Sequence, residues 1–162
     1  MNLSIAGFIN DADEIIHRLW VGNFNSSQDR NFLIGHHVTV IVNCTKDLPF
    51  LDLRGVFKYR VPVDDNLETT EMESMALWLK HILPIIEAHY QKGRTILVHC
   101  MAGQQRSAIV MLCYLCQYHY KNPKMALSNM RHRRPIVFTP KMNFSLSFYL
   151  YFGPEVYYRL FR

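Results

Sequence analysis

Val98-His99-Cys100-Met101-Ala102-Gly103-Gln104-Gln105-Arg106-Ser107 lies between a short apolar run, Arg94 to His99, and a long apolar stretch rich in helix formers, Ser107 to Tyr120. The order strand, loop, helix puts the segment at the C-terminal end of a predicted strand, where open α/β sheets bind their ligands. Successive backbone N–H groups that close onto a helix N-terminus form an anion-binding concavity. Gly103 permits the backbone angles such a loop needs. Arg106 ends the loop with a planar guanidinium able to hold two oxygens of one phosphate. Cys100, at the head of the loop, faces the same field, which is expected to favour its nucleophilic thiolate. Ser107 is placed to donate a hydrogen bond to that sulfur. A cysteine and an arginine six apart arise often by chance, and a lone Cys is commonly core packing. Adding His99, Gly103, Ser107 and the strand-to-helix context turns the balance toward a phosphate site.

Working outward, Ile15 to Gly22 reads as one strand, and Ser26 or Ser27 as the cap of a short helix over about 28–34 stopped by Gly35. Val38-Thr39-Val40-Ile41-Val42 is β-branched without polar alternation, as in a strand buried on both faces. Val56 to Val63 reads as another strand. Thr70-Glu71-Met72-Glu73 has the form of a capping box opening a long helix that Pro84 kinks and Gly93 ends. Asn122-Pro123 predicts a helix through about Arg131, and a last helix is predicted over about 141–151, before Gly153-Pro154. Strands alternating with helices predict an α/β domain, with a central mostly parallel sheet of four to five strands flanked by helices on both sides.

The composition agrees with one domain over residues 1–162. The 162 residues are 49% hydrophobic and 13% aromatic, which excludes a disordered chain. The apolar run Ile109–Cys116 is far short of the roughly 20 residues a membrane span needs, and Met1 to Gly7 does not read as a secretory signal. With Cys44, Cys100, Cys113 and Cys116 expected to stay reduced, a cytoplasmic setting is expected, the nucleus being compatible. Residues 1–80 carry a net −4 and residues 81–162 a net +9, so the second half is suited to anionic partners.

The stretch from His99 to Ser107 resembles the signature loop of the cysteine-based protein tyrosine phosphatases, and the chain around it is similar to their small dual-specificity branch. Leu19-Trp20-Val21-Gly22-Asn23, Val40-Ile41-Val42-Asn43-Cys44, Val61-Pro62-Val63-Asp64-Asp65, and Arg134-Pro135 followed by Pro140 and Asn143-Phe144 carry the resemblance over about residues 15–150. It implies a metal-independent, cofactor-free phosphatase that works through a phosphocysteine on Cys100. Arg106 and the backbone of Met101, Ala102, Gly103, Gln104 and Gln105 would hold the phosphate, and Ser107 would ease departure of the thiolate. His99 would support the cysteine from behind. Register against the family's acid motif selects Asp65 as general acid, with Asp64 as the alternative. Phosphotyrosine and phosphoserine/phosphothreonine in proteins are the implied substrates. RNA 5′-phosphatase, phosphoinositide phosphatase and a non-catalytic phosphopeptide-binding module of the same fold are the alternatives. The absence of Lys from the loop weakens the lipid reading, and Ser107 departs from the Thr usual in the RNA branch. The Gln104-Gln105 pair and the short chain also resemble phosphatases of large DNA viruses, for which a virion location would follow.

Some residues are less specific. Arg131 and Arg133 are candidate contacts for a second phosphate, against the plainer reading of cations at a helix C-terminus. Cys113 and Cys116 fall inside an apolar helix and read as core. Cys44 is a candidate to pair with Cys100 on oxidation. No metal site, nucleic acid or membrane is expected as a partner. A monomer or homodimer is expected, and residues 1–14 are a possible N-terminal extension, docking or frayed.

Overall fold

The computed structural model describes residues 9–162. Five strands, Ala12–Ile16 (β1), Leu19–Gly22 (β2), Val38–Asn43 (β3), Phe57–Arg60 (β4) and Thr95–His99 (β5), form one sheet in the order β1-β2-β5-β3-β4. β1 pairs antiparallel with β2, and all other neighbours are parallel. The strand that leads into the loop is therefore the central one. The helices are Phe24–Gln28 (α1), Arg30–Gly35 (α2), Thr69–Gln91 (α3), Arg106–Tyr118 (α4), Pro123–Arg133 (α5), Ser145–Phe152 (α6) and Pro154–Phe161 (α7).

The period-2 geometry of a strand sorts the apolar side chains onto two faces. Leu19, Val21, Val40, Val42, Ile96 and Val98 join the larger core with Met75, Leu79, Leu83 and Ile86 of α3 and nearly the whole of α4. Ile41, Leu97 and Trp20 point the other way, against Phe32 and Leu33 of α2 and Phe50, Leu51 and Leu53 of the following connection. Each fully buried aliphatic side chain contributes roughly 2 kcal/mol, so β5 is held rigidly from both sides. Such rigidity lets the residues at its end be positioned.

Several expectations need correction. Residues 15–22 are not one strand. They belong to a hairpin whose turn residue, Arg18, has φ 69°. No Gly or Asn marks that turn. Tertiary contacts hold it instead, because the Arg18 guanidinium donates to the carbonyls of Tyr90 and Arg94 and lies 4.1 Å from the Tyr90 ring centroid. The hairpin takes residues 12–14 of the possible extension into the sheet as part of β1; residues 1–8 of it lie outside the described residues. Ser26 and Ser27 sit inside α1, which Asn23 caps, while Asp29 caps α2 by accepting from the Phe32 N–H. The expected capping box does not form. α3 starts two residues earlier than the box implies, with Glu68 rather than Thr70 as an extended cap lacking a side-chain bond. Pro84 lies inside α3 without ending it. Gly153-Pro154 does not close the chain's structure: Pro154 opens α7, a position its fixed φ suits.

Candidate active site

The loop from Cys100 to Gln105 joins the central strand to α4, and Arg106 is the first residue of that helix. Cys100 is 2% exposed, its N–H donating to the Gly22 carbonyl, and its Sγ lies 3.2 Å from Ser107 Oγ. Gly103 has φ +68°, and a Cβ there would fall 2.7 Å from both C and O of Gly22 and from Nη2 of Arg134. Only glycine fits, for backbone angle and for space. Among the described residues, none of the N–H groups of 101–105 donates to a protein acceptor. An anion-binding loop presents its amides in this way.

Two side chains brace the loop from outside. Arg134, 1% exposed, donates to the carbonyls of Gly103 (2.9 Å) and Ala102 (3.3 Å), and ties them to Asn10 O and to Asp13 Oδ2 at 2.7 Å. Gln105, also buried, donates to Lys141 O and Thr139 O and accepts from the Asn143 N–H. The loop thus turns its carbonyls outward onto protein donors, which leaves its amides for the inside.

Arg106 is anchored by Nη1, which donates to Val63 O at 3.0 Å; its Nε is buried and without a partner among the described residues. A buried guanidinium N–H without an acceptor is costly unless a ligand completes it. Asp65, Cys100, Met101, Ala102, Gln104, Gln105, Arg106, Thr139 and Asn143 surround a pocket of about 350 Å³ at this point. Asp65 is exposed, and its Oδ1 accepts from Asn143 Nδ2 at 3.0 Å. Asp64 turns away: its carboxylate lies 3.1 Å from Lys46 Nζ, its N–H donates to Glu71 Oε2, and Lys46 also pairs with Glu71.

His99 is fully buried, with Nδ1 3.3 Å from the Cys100 carbonyl and Nε2 unpartnered among the described residues. Burial pushes its pKa down to about 4, the nearby Arg60 and Arg106 charges adding to the effect and the bond to Cys100 opposing it. Cys44 donates its N–H to His99 O, and burial raises its thiol pKa well above the usual range, with Cys100 adding and Arg106 opposing. Both cysteines are free thiols. Cys113 is fully buried in α4, and burial also raises the thiol pKa of Cys116, to about 12.

The structure does not bring every candidate together. Arg131 and Arg133 do not line the pocket. They stand on the last turn of α5, and Arg133 Nε donates to Glu14 O of β1 at 2.7 Å. Their cations complement the helix C-terminus there. The bracing by Gln105 and the link from Asn143 to Asp65 could not be read beforehand, since both bridge segments more than 30 residues apart. In the sequence, Arg134-Pro135 contributes only to the family resemblance, and the burial that makes Arg134 a brace belongs to the structure.

Residues 19–153 match the family model of the dual specificity phosphatase catalytic domain. The chain belongs to that family. Dual specificity protein phosphatase 2 of Mus musculus is 31% identical over 132 residues, which is 81% of this chain and 40% of the relative. Human dual specificity protein phosphatase 21 is 30% identical over 125 residues, 76% of this chain and 63% of the relative. The chain therefore spans less than two thirds of the length of either relative. Among solved structures, a mouse dual specificity phosphatase complexed with zinc tungstate superposes with a TM-score of 0.77 at 25% identity, covering 87% of this chain and 86% of that one.

Proposed function

We propose that the chain hydrolyses phosphate monoesters on proteins, phosphotyrosine as well as phosphoserine and phosphothreonine, through a phosphocysteine. The observation that carries this reading is the unpartnered, buried Nε of Arg106 in the same pocket as the Cys100 thiol and the free loop amides. The family and the names of the relatives support it, and the mouse neighbour's tungstate is a tetrahedral oxyanion of phosphate-like geometry.

Phosphate enters with its equatorial oxygens on the loop N–H groups and on the Arg106 guanidinium, which costs no reorganisation at the moment of reaction. Cys100 Sγ attacks phosphorus; the S–P bond forms as the P–O ester bond breaks. The leaving oxygen takes the electron pair and a proton from Asp65. Water then attacks the phosphocysteine and gives a proton to Asp65. The S–P bond breaks, and the pair returns to sulfur, where the Ser107 hydroxyl hydrogen-bonds the departing thiolate. Asp65 is preferred to Asp64 because it lines the pocket, whereas Asp64 is engaged by Lys46.

The test compares wild type with Cys100→Ser on 4-nitrophenyl phosphate and on a panel of phosphotyrosine, phosphoserine and phosphothreonine peptides, phosphoinositides and RNA 5′ ends. Turnover should fall at least about 10⁴-fold in the variant, as on loss of other enzymic nucleophiles. Retained turnover refutes the phosphocysteine, and a preference for lipid or RNA refutes the protein substrate.

A further inference from the structure

Asp65 poses a positioning problem. It is exposed, on the connection between β4 and α3, and an exposed carboxyl on such a segment samples several rotamers. Yet a general acid must reach the leaving oxygen at hydrogen-bond distance, and a misplacement of about 1 Å costs up to about 10²-fold. Among the described residues, one hydrogen bond restrains the carboxyl: Asn143 Nδ2–H donates to Oδ1 at 3.0 Å.

Asn143 is itself held from the phosphate loop. Its backbone N–H donates to Gln105 Oε1 at 3.0 Å. The Nε2 of the same glutamine donates to Lys141 O at 2.7 Å and to Thr139 O at 3.3 Å. Gln104 adds a bond to Thr139 Oγ1, and its carbonyl accepts from the Phe138 N–H. With Gln105 only 5% exposed, the 139–143 segment is fixed to the loop that receives the phosphate.

We infer that Asn143 is a positioning residue: its amide holds Asp65 Oδ1, so that Oδ2 carries the proton toward the leaving oxygen, and Gln105 sets that geometry relative to the bound phosphate. The inference rests on the reading of Asp65 as general acid. The amide can donate to the carbonyl oxygen of the neutral acid in the first step and, more strongly, to the carboxylate of the second. The link also explains why the loop carries a long amide at position 105. Only a side chain with both a donor and an acceptor at its end can hold carbonyls and an N–H of one segment at once.

The experiment measures kcat/KM, which reports formation of the phosphoenzyme, on phenyl phosphate and on 2,4-dinitrophenyl phosphate. The first leaving group needs a proton and the second does not. Asp65→Asn should lose about 10²-fold or more on phenyl phosphate and little on the dinitrophenyl ester. Asn143→Ala should lose about 10-fold on the former and less than about 2-fold on the latter. It should cost nothing further in the Asp65→Asn background. Asn143→Ser, which keeps a donor, should recover part of the loss. Asn143→Ala keeps the backbone bond to Gln105, and unchanged activity on the dinitrophenyl ester reports an intact fold. Equal losses on both esters, full additivity with Asp65→Asn, or no loss at all would overturn the inference while leaving Asp65 in place. If Asp65→Asn is itself insensitive to the leaving group, the acid assignment falls and takes the inference with it.

Discussion

The cradle at 100–106 and the acid segment at 61–68 face one pocket but are built on opposite principles. The cradle is anchored by buried residues, although Met101 and Ala102 themselves are exposed. Cys100, Gly103 and Gln105 are each nearly inaccessible, and the Arg134 guanidinium spends its donors on loop carbonyls and Asp13. The acid segment is fixed only at its start, by Val61 and Val63 in the core, and then runs exposed from Asp65 onward. Among the described residues, its further side-chain ties are Lys46 with Asp64 and Glu71, the Asp64 N–H with Glu71, and a bond from Asn143. The difference follows from the chemistry asked of each. Phosphate has one shape, so its donors profit from being immobile. Leaving groups vary in size, so an acid on a lightly held segment can adjust to them. Arg106 links the two regions, since it lines the cradle and donates to Val63 O in the acid segment.

The largest expected effect is at that link. Arg106→Lys keeps the charge but loses the planar fork and the anchored geometry, so kcat/KM should fall about 10³-fold while cooperative unfolding is retained. A loss below tenfold would mean that the loop amides bind phosphate unaided. Next comes Arg134→Met, which leaves the Asp13 carboxylate and three carbonyls without their buried partner. Urea denaturation should show about 3–5 kcal/mol lost, with activity falling in parallel; near-wild-type stability would show that the cradle holds its shape without the brace.

A pH effect on the cradle side is of similar size but conditional. His99 stays neutral in the fold down to about pH 4, whereas in the unfolded chain it takes up its proton near the ordinary 6.5. The unfolded state therefore binds more protons between these values, and stability should fall as pH drops through that window, by roughly 3 kcal/mol at pH 4. Above pH 7 the group contributes no slope. His99→Gln should flatten this limb relative to wild type; parallel curves for the two proteins would show that His99 charges freely in the fold. The smallest effect belongs to the acid segment. Lys46→Ala removes its two ion pairs at the surface, with Asp64 and Glu71, and kcat should change by less than about threefold, as surface ion pairs contribute little. A tenfold loss there would make the two regions more alike than their burial suggests.

The α/β architecture and the cradle were readable because their signals are local. Val38 to Val42 has no polar face, as a central strand requires, and the residues of the cradle are contiguous in the chain. The hairpin at 12–22 escaped because nothing in His17-Arg18 marks a turn. Its φ is stabilised by Tyr90 and Arg94, more than 70 residues away. Arg131 and Arg133 looked suited to a second phosphate from charge alone, but α5 directs Arg133 to β1 instead.

By itself, then, the order of residues determined the alternating strands, the glycine-bearing loop from strand to helix and the placing of Cys100 and Arg106 at its two ends, since period, glycine placement and a six-residue spacing are properties of neighbouring positions. Only the tertiary structure decided which aspartate faces the pocket, which arginine became a buried brace and which side chain donates to that aspartate. Those outcomes depend on contacts between segments 30 to 120 residues apart, where burial and hydrogen-bond geometry, absent from any local pattern, select the partner.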